Sequence, residues 1–268
     1  MDIREVLKEK IPENLINLVP RSFDIIGSIA IVEIHDDLQK YRKDIGNAIL
    51  KVNKNVKTVY EKISSREGKF RLRKLKFICG ERTSITVYKE SGCRFLLNVR
   101  TSYLSPREGT ERMRIASSIS DGERVMVFFA GIGPFPIIIS KKTKASEIYG
   151  IELNPQAVKY FKKNVKLNKI KNVFPILGDV KKLYKKFGKF DRVIMPLPKT
   201  AWKFLKEGKA CLNRGGLINF YCIFSKEENE KFWKKRIKKI LPQSRIKKIQ
   251  KVLPFGPGKM KMRIDIRI

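Results

Sequence analysis

The sequence predicts an α/β fold: a doubly wound, largely parallel sheet, preceded by a smaller α+β domain. From about residue 101 onward, short apolar runs alternate with amphipathic stretches of helical length, as in βαβ units. The run Val125–Phe128 leads directly into Gly131 and Gly133, as a parallel strand does where it turns tightly into a helix. Before that point strand-forming runs dominate, so we divide the chain into domains at 1–100 and 101–268.

The first domain is predicted to combine two helices with an antiparallel-rich sheet. Its helices are expected within 1–20, ending near Pro12 or Pro20, and at 38–52, and its strands at 23–27, 29–34, 56–63, 70–80, 84–89 and 93–99. Alternation within 70–80 places Arg71 and Arg73 together on one face. That face is either a substrate-facing surface or a solvated one, and spacing alone leaves both interpretations open.

In the second domain, strands and helices alternate. Helices are predicted at 108–120, 135–142, 155–167, 180–187, 200–211 and 227–240, and strands at 125–128, 148–153, 173–177, 192–195, 217–224, 246–253 and 261–268. Ligands of such sheets bind beyond the carboxyl ends of the strands. We therefore expect the functional site in the loops that follow the strands.

The charge balance points to a polyanionic partner. The chain of 268 residues has 60 Lys and Arg against 26 Asp and Glu, a formal net charge of +34. Nucleic acid is the leading candidate, with uniformly basic solvated faces as the alternative. No apolar run is long enough to span a bilayer, and the start of the chain lacks a signal-peptide pattern. We expect a soluble cytoplasmic protein.

The cysteine and histidine content excludes several kinds of chemistry. Cys79, Cys93, Cys211 and Cys222 have no Cys-x-x-Cys spacing, and His35 is the single histidine. A zinc site and a Ser-His-Asp triad are therefore poorly supported, and we expect no metal. Any proton transfer falls to carboxylates, lysines or tyrosines.

The glycine loop follows the first strand of the second domain, and polar or proline residues follow the next three. Glu152 stands 21 residues after Gly131, the spacing at which an acid accepts both hydroxyls of a ribose. Asp179 ends the third strand, where it either accepts from an adenine amino group or caps the next helix. Pro196 and Pro198 stiffen the fourth loop. This order matches S-adenosylmethionine enzymes better than dinucleotide enzymes, which usually have a third glycine.

Four motifs resemble those of one family. They are Tyr103–Arg112 (YLSPREGTER), Phe129–Phe135 (FAGIGPF), the Asn-Pro-x-Ala-Val of Asn154–Val158, and Met195–Lys199 (MPLPK). The sequence resembles the archaeal and eukaryotic tRNA (guanine(37)-N(1))-methyltransferases over most of its length. The resemblance implies a class I methyltransferase domain that transfers a methyl group from S-adenosylmethionine to N1 of the guanosine 3′ of the anticodon in tRNA.

The resemblance also assigns roles to residues. Glu111 matches the family's proposed general base, and Arg71, or failing that Arg73, matches the arginine that holds guanine O6. Pro198 is placed at the reacting centre. The residues placed at the cofactor pocket are Tyr103, Arg107, Phe129, Gly131, Gly133, Glu152, Leu153, Asp179 and Pro196. Chemistry supports a carboxylate with an arginine, because guanine N1 must lose a proton while negative charge develops on O6.

The chain departs from the family pattern in three places. Val127 stands where the family usually has an aspartate, and Pro196 where it often has an asparagine. An extra N-terminal domain of related enzymes is expected to be absent. We expect a monomer.

Two other functions and one other role for Glu111 remain open. The protein is alternatively an aminocarboxypropyl transferase or a methyltransferase of a tricyclic wybutosine-pathway guanosine. A second alternative is a catalytically weak RNA-binding protein whose cofactor site has decayed at Val127. Spacing alone would make Glu111 a helix-surface acid paired with Arg107 or Arg114.

Overall fold

The computed structural model describes residues 2–65, 68–70 and 72–268, so Arg71 lies outside the described residues. The chain divides into two compact units, Met1–Pro106 and Arg107–Ile268. Within the described ranges, none of the helices combines the length and the apolar character that a membrane-spanning helix needs.

The first unit contains short helices and two small sheets. Its helices are α1 (Ile3–Leu7), α2 (Glu13–Ile16) and α3 (Arg42–Val52), and its strands are β1 (Asp24–Ile26), β2 (Ile29–Val32), β3 (Thr58–Lys62), β4 (Leu75–Gly80), β5 (Ile85–Glu90) and β6 (Cys93–Asn98). Strands β1 to β4 form one sheet in that order, and β5 pairs with β6. A core of apolar side chains from α1, α3, β2 and β3 lies against this sheet.

Two details of this unit differ from the prediction. The helix expected within 1–20, with its end near Pro12 or Pro20, is instead two short helices: the first ends at Leu7, and Pro12 directly precedes the second. The strand expected from residue 70 begins at Leu75. The unit is rich in antiparallel sheet, as predicted, and among the described strands β2 and β3 form a parallel pair with α3 as their crossover.

The second unit alternates strands and helices. Its helices are α4 (Gly109–Ala116), α5 (Pro134–Lys142), α6 (Pro155–Leu167), α7 (Val180–Leu183), α8 (Leu205–Ala210) and α9 (Glu230–Ile240), and its strands are β7 (Arg124–Phe128), β8 (Glu147–Glu152), β9 (Val173–Leu177), β10 (Phe190–Met195), β11 (Leu212–Phe224), β12 (Arg245–Gly256) and β13 (Lys259–Arg267). Short 3-10 turns precede α3, α4 and α8, at Asp36–Tyr41, Pro106–Glu108 and Ala201–Phe204. Helix α4 ends at Ala116, four residues before Ser120, where the sequence predicted its end.

The sheet of the second unit confirms the predicted fold class. Among the described residues it has seven strands in the order β12-β13-β11-β10-β7-β8-β9. Strands β9, β8, β7, β10 and β11 are parallel neighbours, whereas β13 and β12 add antiparallel pairs at one side. The chain order reverses between β7 and β10, which is the switch point where ligands of such sheets bind.

Apolar side chains on alternate positions of these strands build the core of the second unit. Met126, Phe128, Val193 and Met195 are fully buried and belong to a cluster that includes Trp233 of α9. Side chains cap the N-termini of α6, α7 and α9. Pro155 opens α6, for example, after Asn154 has accepted a hydrogen bond from the backbone of Gln156 at 3.0 Å.

Candidate active site

The glycine loop joins β7 to α5 through three residues with left-handed backbone. The φ angles of Phe129, Gly131 and Gly133 are 58°, 59° and 89°. A Cβ added to Gly133 would lie 2.1 Å from the Phe161 ring, so position 133 needs glycine for both space and conformation. Helix α5 begins directly after this loop with Pro134, and Pro136 is its third residue, so among residues 134–136 the backbone N–H belongs to Phe135.

Phe129 is the unusual member of this loop. A large non-glycine residue with a positive φ is strained, and such strain persists only where the surroundings hold it. The Phe129 ring packs edge-on against Phe204, with centroids 4.9 Å apart, and Lys181 Nζ lies 5.6 Å from the Phe204 ring. The two rings and the lysine connect the glycine loop with the loops that follow β9 and β10.

Glu152 ends β8 and contacts the glycine loop directly. Its Oε2 accepts a hydrogen bond from Gly131 N at 2.8 Å, and its Oε1 accepts one from Asn154 N at 2.7 Å. Burial raises the pKa of Glu152, and backbone hydrogen bonds from Asn154, Gly131 and Leu153 partly oppose that rise. A carboxylate has about four acceptor positions, so at least one remains for a hydroxyl of a ligand.

Asp179 lies in the next loop and caps α7. Its Oδ1 accepts a hydrogen bond from Lys181 N at 2.9 Å, the capping role that the sequence left open. Gly178, just before it, donates its backbone N–H to Glu152 O at 2.9 Å, which holds the second and third loops together. Leu153 and Asp179 are both half-buried at this edge.

The proline loop follows β10. Pro196 and Pro198 are half-buried and lack a backbone N–H, whereas Leu197 between them donates to Met195 O at 2.9 Å. Val127, where an acid was expected, is fully buried in β7 between Ile194 and Gly150 of the neighbouring strands. An acid at that position would meet apolar strand neighbours on both sides.

Glu111 lies in α4 and is 2% exposed. Its Oε1 accepts hydrogen bonds from Tyr221 Oη at 2.8 Å and from Arg263 Nη1 at 2.6 Å, and its Oε2 accepts one from Arg114 Nη1 at 3.0 Å. The pairing with Arg114 at i+3 is therefore present, but Glu111 is not a surface acid. As a base it would have to exchange one of these donors for the substrate.

Buried charged groups surround Glu111. Burial strongly raises the pKa of Tyr221, and the negative charge of Glu111 adds to that rise. Burial disfavours the cation of Arg263, but Asp265 and other partners outweigh it and raise its pKa. Lys261 Nζ binds Glu108 Oε1 at 2.9 Å in the same cluster. Sequence reasoning missed this network. Its signal was the strict alternation of charged and apolar residues along β13.

Three further residues were predicted at the site: Arg73, Tyr103 and Arg107. Arg73 is half-buried and Tyr103 is 40% exposed in the first unit, and exposed Arg107 begins the second. No group of His, Cys, Asp and Glu within the described ranges is arranged to hold a metal ion.

Comparison with known proteins identifies two matching family models. The TRM5/TYW2 methyltransferase domain matches residues 86–252, and the TYW2 N-terminal domain matches residues 3–83. The chain is 47% identical over 218 residues to the tRNA (guanine(37)-N(1))-methyltransferase Trm5b of Pyrococcus abyssi, covering 81% of this chain and 64% of that protein. It is 42% identical over 201 residues to the tRNA (guanine(37)-N(1))/4-demethylwyosine(37)-methyltransferase Taw22 of Nanoarchaeum equitans, covering 75% and 59%. The chain thus spans less than two thirds of either relative.

Two solved structures are similar throughout. The complex structure of aTrm5 and tRNALeu matches with a TM-score of 0.89 at 33% identity, covering 100% of this chain and 78% of that chain. Trm5 of Methanocaldococcus jannaschii in complex with adenosine matches with a TM-score of 0.83 at 32% identity, covering 99% and 78%. The methyltransferase model alone covers more than half of the sequence. The chain therefore belongs to the TRM5/TYW2 methyltransferase family.

Proposed function

We propose that this chain transfers a methyl group from S-adenosylmethionine to N1 of guanosine 37 in tRNA. The observation that carries the proposal is the hydrogen bond from Gly131 N to Glu152 Oε2 at 2.8 Å. It lies at the switch point of the sheet, in a domain that matches the TRM5/TYW2 methyltransferase family. A glycine loop held by an acid is the arrangement that binds a nucleoside with its ribose on the carboxylate. The 47% identity to a protein named for this activity supports the choice of guanosine 37 in tRNA as the substrate.

The cofactor pocket is formed by the loops after β7 to β10. Glu152 retains at least one acceptor position for a ribose hydroxyl, and Asp179 offers one carboxylate oxygen beyond the one that caps α7. The left-handed glycine loop lets the backbone approach a ligand closely, and the proline loop forms an adjacent wall. These groups fit an adenosyl cofactor, and adenosine is bound in the similar Methanocaldococcus structure.

Glu111 is the proposed base. Guanine N1 carries a proton at neutral pH, and a neighbouring carboxylate is the group that can take it. Oε2 of Glu111 would accept this proton in place of its bond from Arg114. S-adenosylmethionine supplies an electrophilic methyl group on a sulfonium, whose departure needs no acid. Arg71, or failing that Arg73, is proposed to hold the negative charge that develops on guanine O6.

The experiment is methylation of an unmodified tRNA transcript followed by nucleoside mass analysis. We expect N1-methylguanosine. An aminocarboxypropyl nucleoside would reassign the reaction, and no modified nucleoside would favour the RNA-binding alternative. Glu111→Gln should lower the single-turnover rate by at least about tenfold with unchanged S-adenosylhomocysteine affinity, because the proton acceptor is lost. A decrease of less than about threefold would contradict the base assignment.

The two arginine assignments need a separate comparison. Arg71→Ala and Arg73→Ala should differ, because one arginine stabilises charge on O6 while the other contacts RNA without affecting the chemical step. The measurement is the single-turnover rate at saturating tRNA beside the tRNA dissociation constant. Equal losses of affinity with unchanged rates would make both arginines phosphate contacts only.

A second substrate is supported by two observations. The relative from Nanoarchaeum equitans is named for methylation of 4-demethylwyosine as well as guanosine, and residues 3–83 match the TYW2 N-terminal domain. The same assay with tRNA that carries 4-demethylwyosine at position 37 tests this candidate. A methylated tricyclic product would support it, and an unchanged nucleoside would remove it.

A further inference from the structure

The hydrogen bonds to Glu111 differ between its two carboxylate oxygens. Both donors to Oε1 are buried, since Tyr221 is 0% exposed and Arg263 is 4% exposed. The donor to Oε2 is Arg114, whose side chain is 42% exposed. One oxygen is therefore fixed inside the protein, and the other meets a group at the surface.

The donors to Oε1 are themselves held in place. Arg263 makes two bonds to Asp265, Nε to Oδ1 at 2.8 Å and Nη2 to Oδ2 at 3.2 Å. Asp265 Oδ1 also accepts from Asn219 Nδ2 at 2.7 Å. The antiparallel register sets this arrangement, because Tyr221 pairs with Arg263 and Asn219 pairs with Asp265 across β11 and β13. A planar guanidinium with two bonds to one carboxylate has little freedom to turn.

We propose that Tyr221 and Arg263 are positioning residues that hold Oε1 of Glu111, so that Oε2 is the atom that accepts the N1 proton of the substrate base. This inference rests on the proposed function. In the step, the N1–H bond would break and the proton would move to Oε2, while the electron pair left on N1 forms the bond to the methyl carbon. The bond between that carbon and the sulfonium sulfur would break at the same time, and S-adenosylhomocysteine would leave with its electron pair. The guanine N1–H takes the place of the exposed Arg114 donor.

Positioning of this kind has a kinetic consequence. Displacement of a reacting group by about 1 Å can cost on the order of a hundredfold in rate without changing how tightly the substrate binds. Loss of either Oε1 donor should therefore slow the chemical step. Cofactor affinity should stay unchanged, because the proposed cofactor loops follow β7 to β10 and contain neither donor. A purely structural network would instead change the melting temperature and leave the chemical rate of the folded enzyme intact.

The test is single-turnover methylation of a tRNA transcript by Tyr221→Phe and Arg263→Lys. We expect rates lower by about tenfold or more, with dissociation constants for tRNA and S-adenosylhomocysteine within about twofold of wild type. Two matched controls should stay within about twofold in rate. Arg124→Lys changes a half-buried arginine that binds Glu147 and has no bond to this network, and Tyr160→Phe changes a buried tyrosine of α6.

A double variant separates positioning from general destabilisation. If Tyr221 acts through Glu111, adding Tyr221→Phe to Glu111→Gln should cause no further loss of rate. Full additivity, or wild-type rates for both single variants, would overturn the inference while leaving the function in place. If Arg263→Lys does not fold, Tyr221→Phe and the double variant still decide. The proposed function itself fails by a different result, the absence of N1-methylguanosine from the wild-type reaction.

Discussion

Glu152→Gln is expected to weaken cofactor binding while the fold persists. The carboxylate accepts one hydrogen bond at each oxygen from the backbone, through Gly131 N and Asn154 N, and we propose that it also accepts from a ribose hydroxyl. The glutamine keeps only one acceptor oxygen. At least one bond from a ribose hydroxyl is therefore lost, and a bond to a charged group contributes about 1.5–3 kcal/mol. Because about 1.4 kcal/mol is a factor of ten, the dissociation constant should rise roughly 10- to 150-fold.

The assay for this prediction is calorimetric titration with S-adenosylhomocysteine. Glu147→Gln is the matched control, since Glu147 lies at the other end of β8 and binds Arg124 Nε at 2.7 Å. We expect its dissociation constant within about twofold of wild type. An equally small change for Glu152→Gln would refute the assignment of Glu152 to the ribose, and a change in both variants would point to a general loss of structure.

Three further predictions concern stability, pH and salt. Gly133→Ala should destabilise the protein by about 1–3 kcal/mol more than Gly122→Ala in urea unfolding. Both glycines have a positive φ, but a Cβ at 133 would meet Phe161, whereas one at 122 would meet nothing within 4 Å. Equal losses of stability would contradict the clash. Burial raises the pKa of Glu152 above its ordinary 4.5, so its contribution to stability is present at low pH and lost as pH rises through the raised pKa. The free energy of unfolding of wild type relative to Glu152→Gln should fall over that rise, and a flat difference would contradict the raised pKa. Finally, tRNA affinity should fall by roughly tenfold or more between about 50 and 200 mM salt because phosphate contacts release counterions, while S-adenosylhomocysteine affinity should not. A salt-independent tRNA affinity in filter binding would be inconsistent with phosphate contacts from this +34 chain.

The sequence predicted the parts of the site that depend on local order. Strand, glycine turn and helix follow one another within a dozen residues, so the loop after β7 was predictable. The fold class and the family are both confirmed. The 21-residue spacing between Gly131 and Glu152 also corresponds to a direct hydrogen bond, because one βαβ unit returns the chain to the neighbouring strand.

The network around Glu111 was not predictable in the same way. Its donors, Tyr221 and Arg263, lie 110 and 152 residues further along the chain. Helical spacing reveals only the partner at i+3, Arg114, and so suggests a surface acid. Strand register across β11 and β13 decides the burial, and no local pattern contains that register.

Backbone strain was also invisible to local rules. Glycine favours the left-handed conformation that residues 131 and 133 adopt, but a phenylalanine at 129 predicts ordinary extended backbone. The contact with Phe204, 75 residues later, shows what the unusual conformation accompanies. The orientation of Arg71 stays a prediction, since that residue lies outside the described residues.

The most direct test of the central claim uses two transcripts that differ only at position 37. Each is incubated with the protein and S-adenosylmethionine labelled on its methyl group, and the nucleosides are then separated. The account predicts labelled N1-methylguanosine from the transcript with guanosine 37 and no label in the transcript with adenosine 37. Label at another nucleoside, or equal label in both transcripts, would contradict methyl transfer to N1 of guanosine 37.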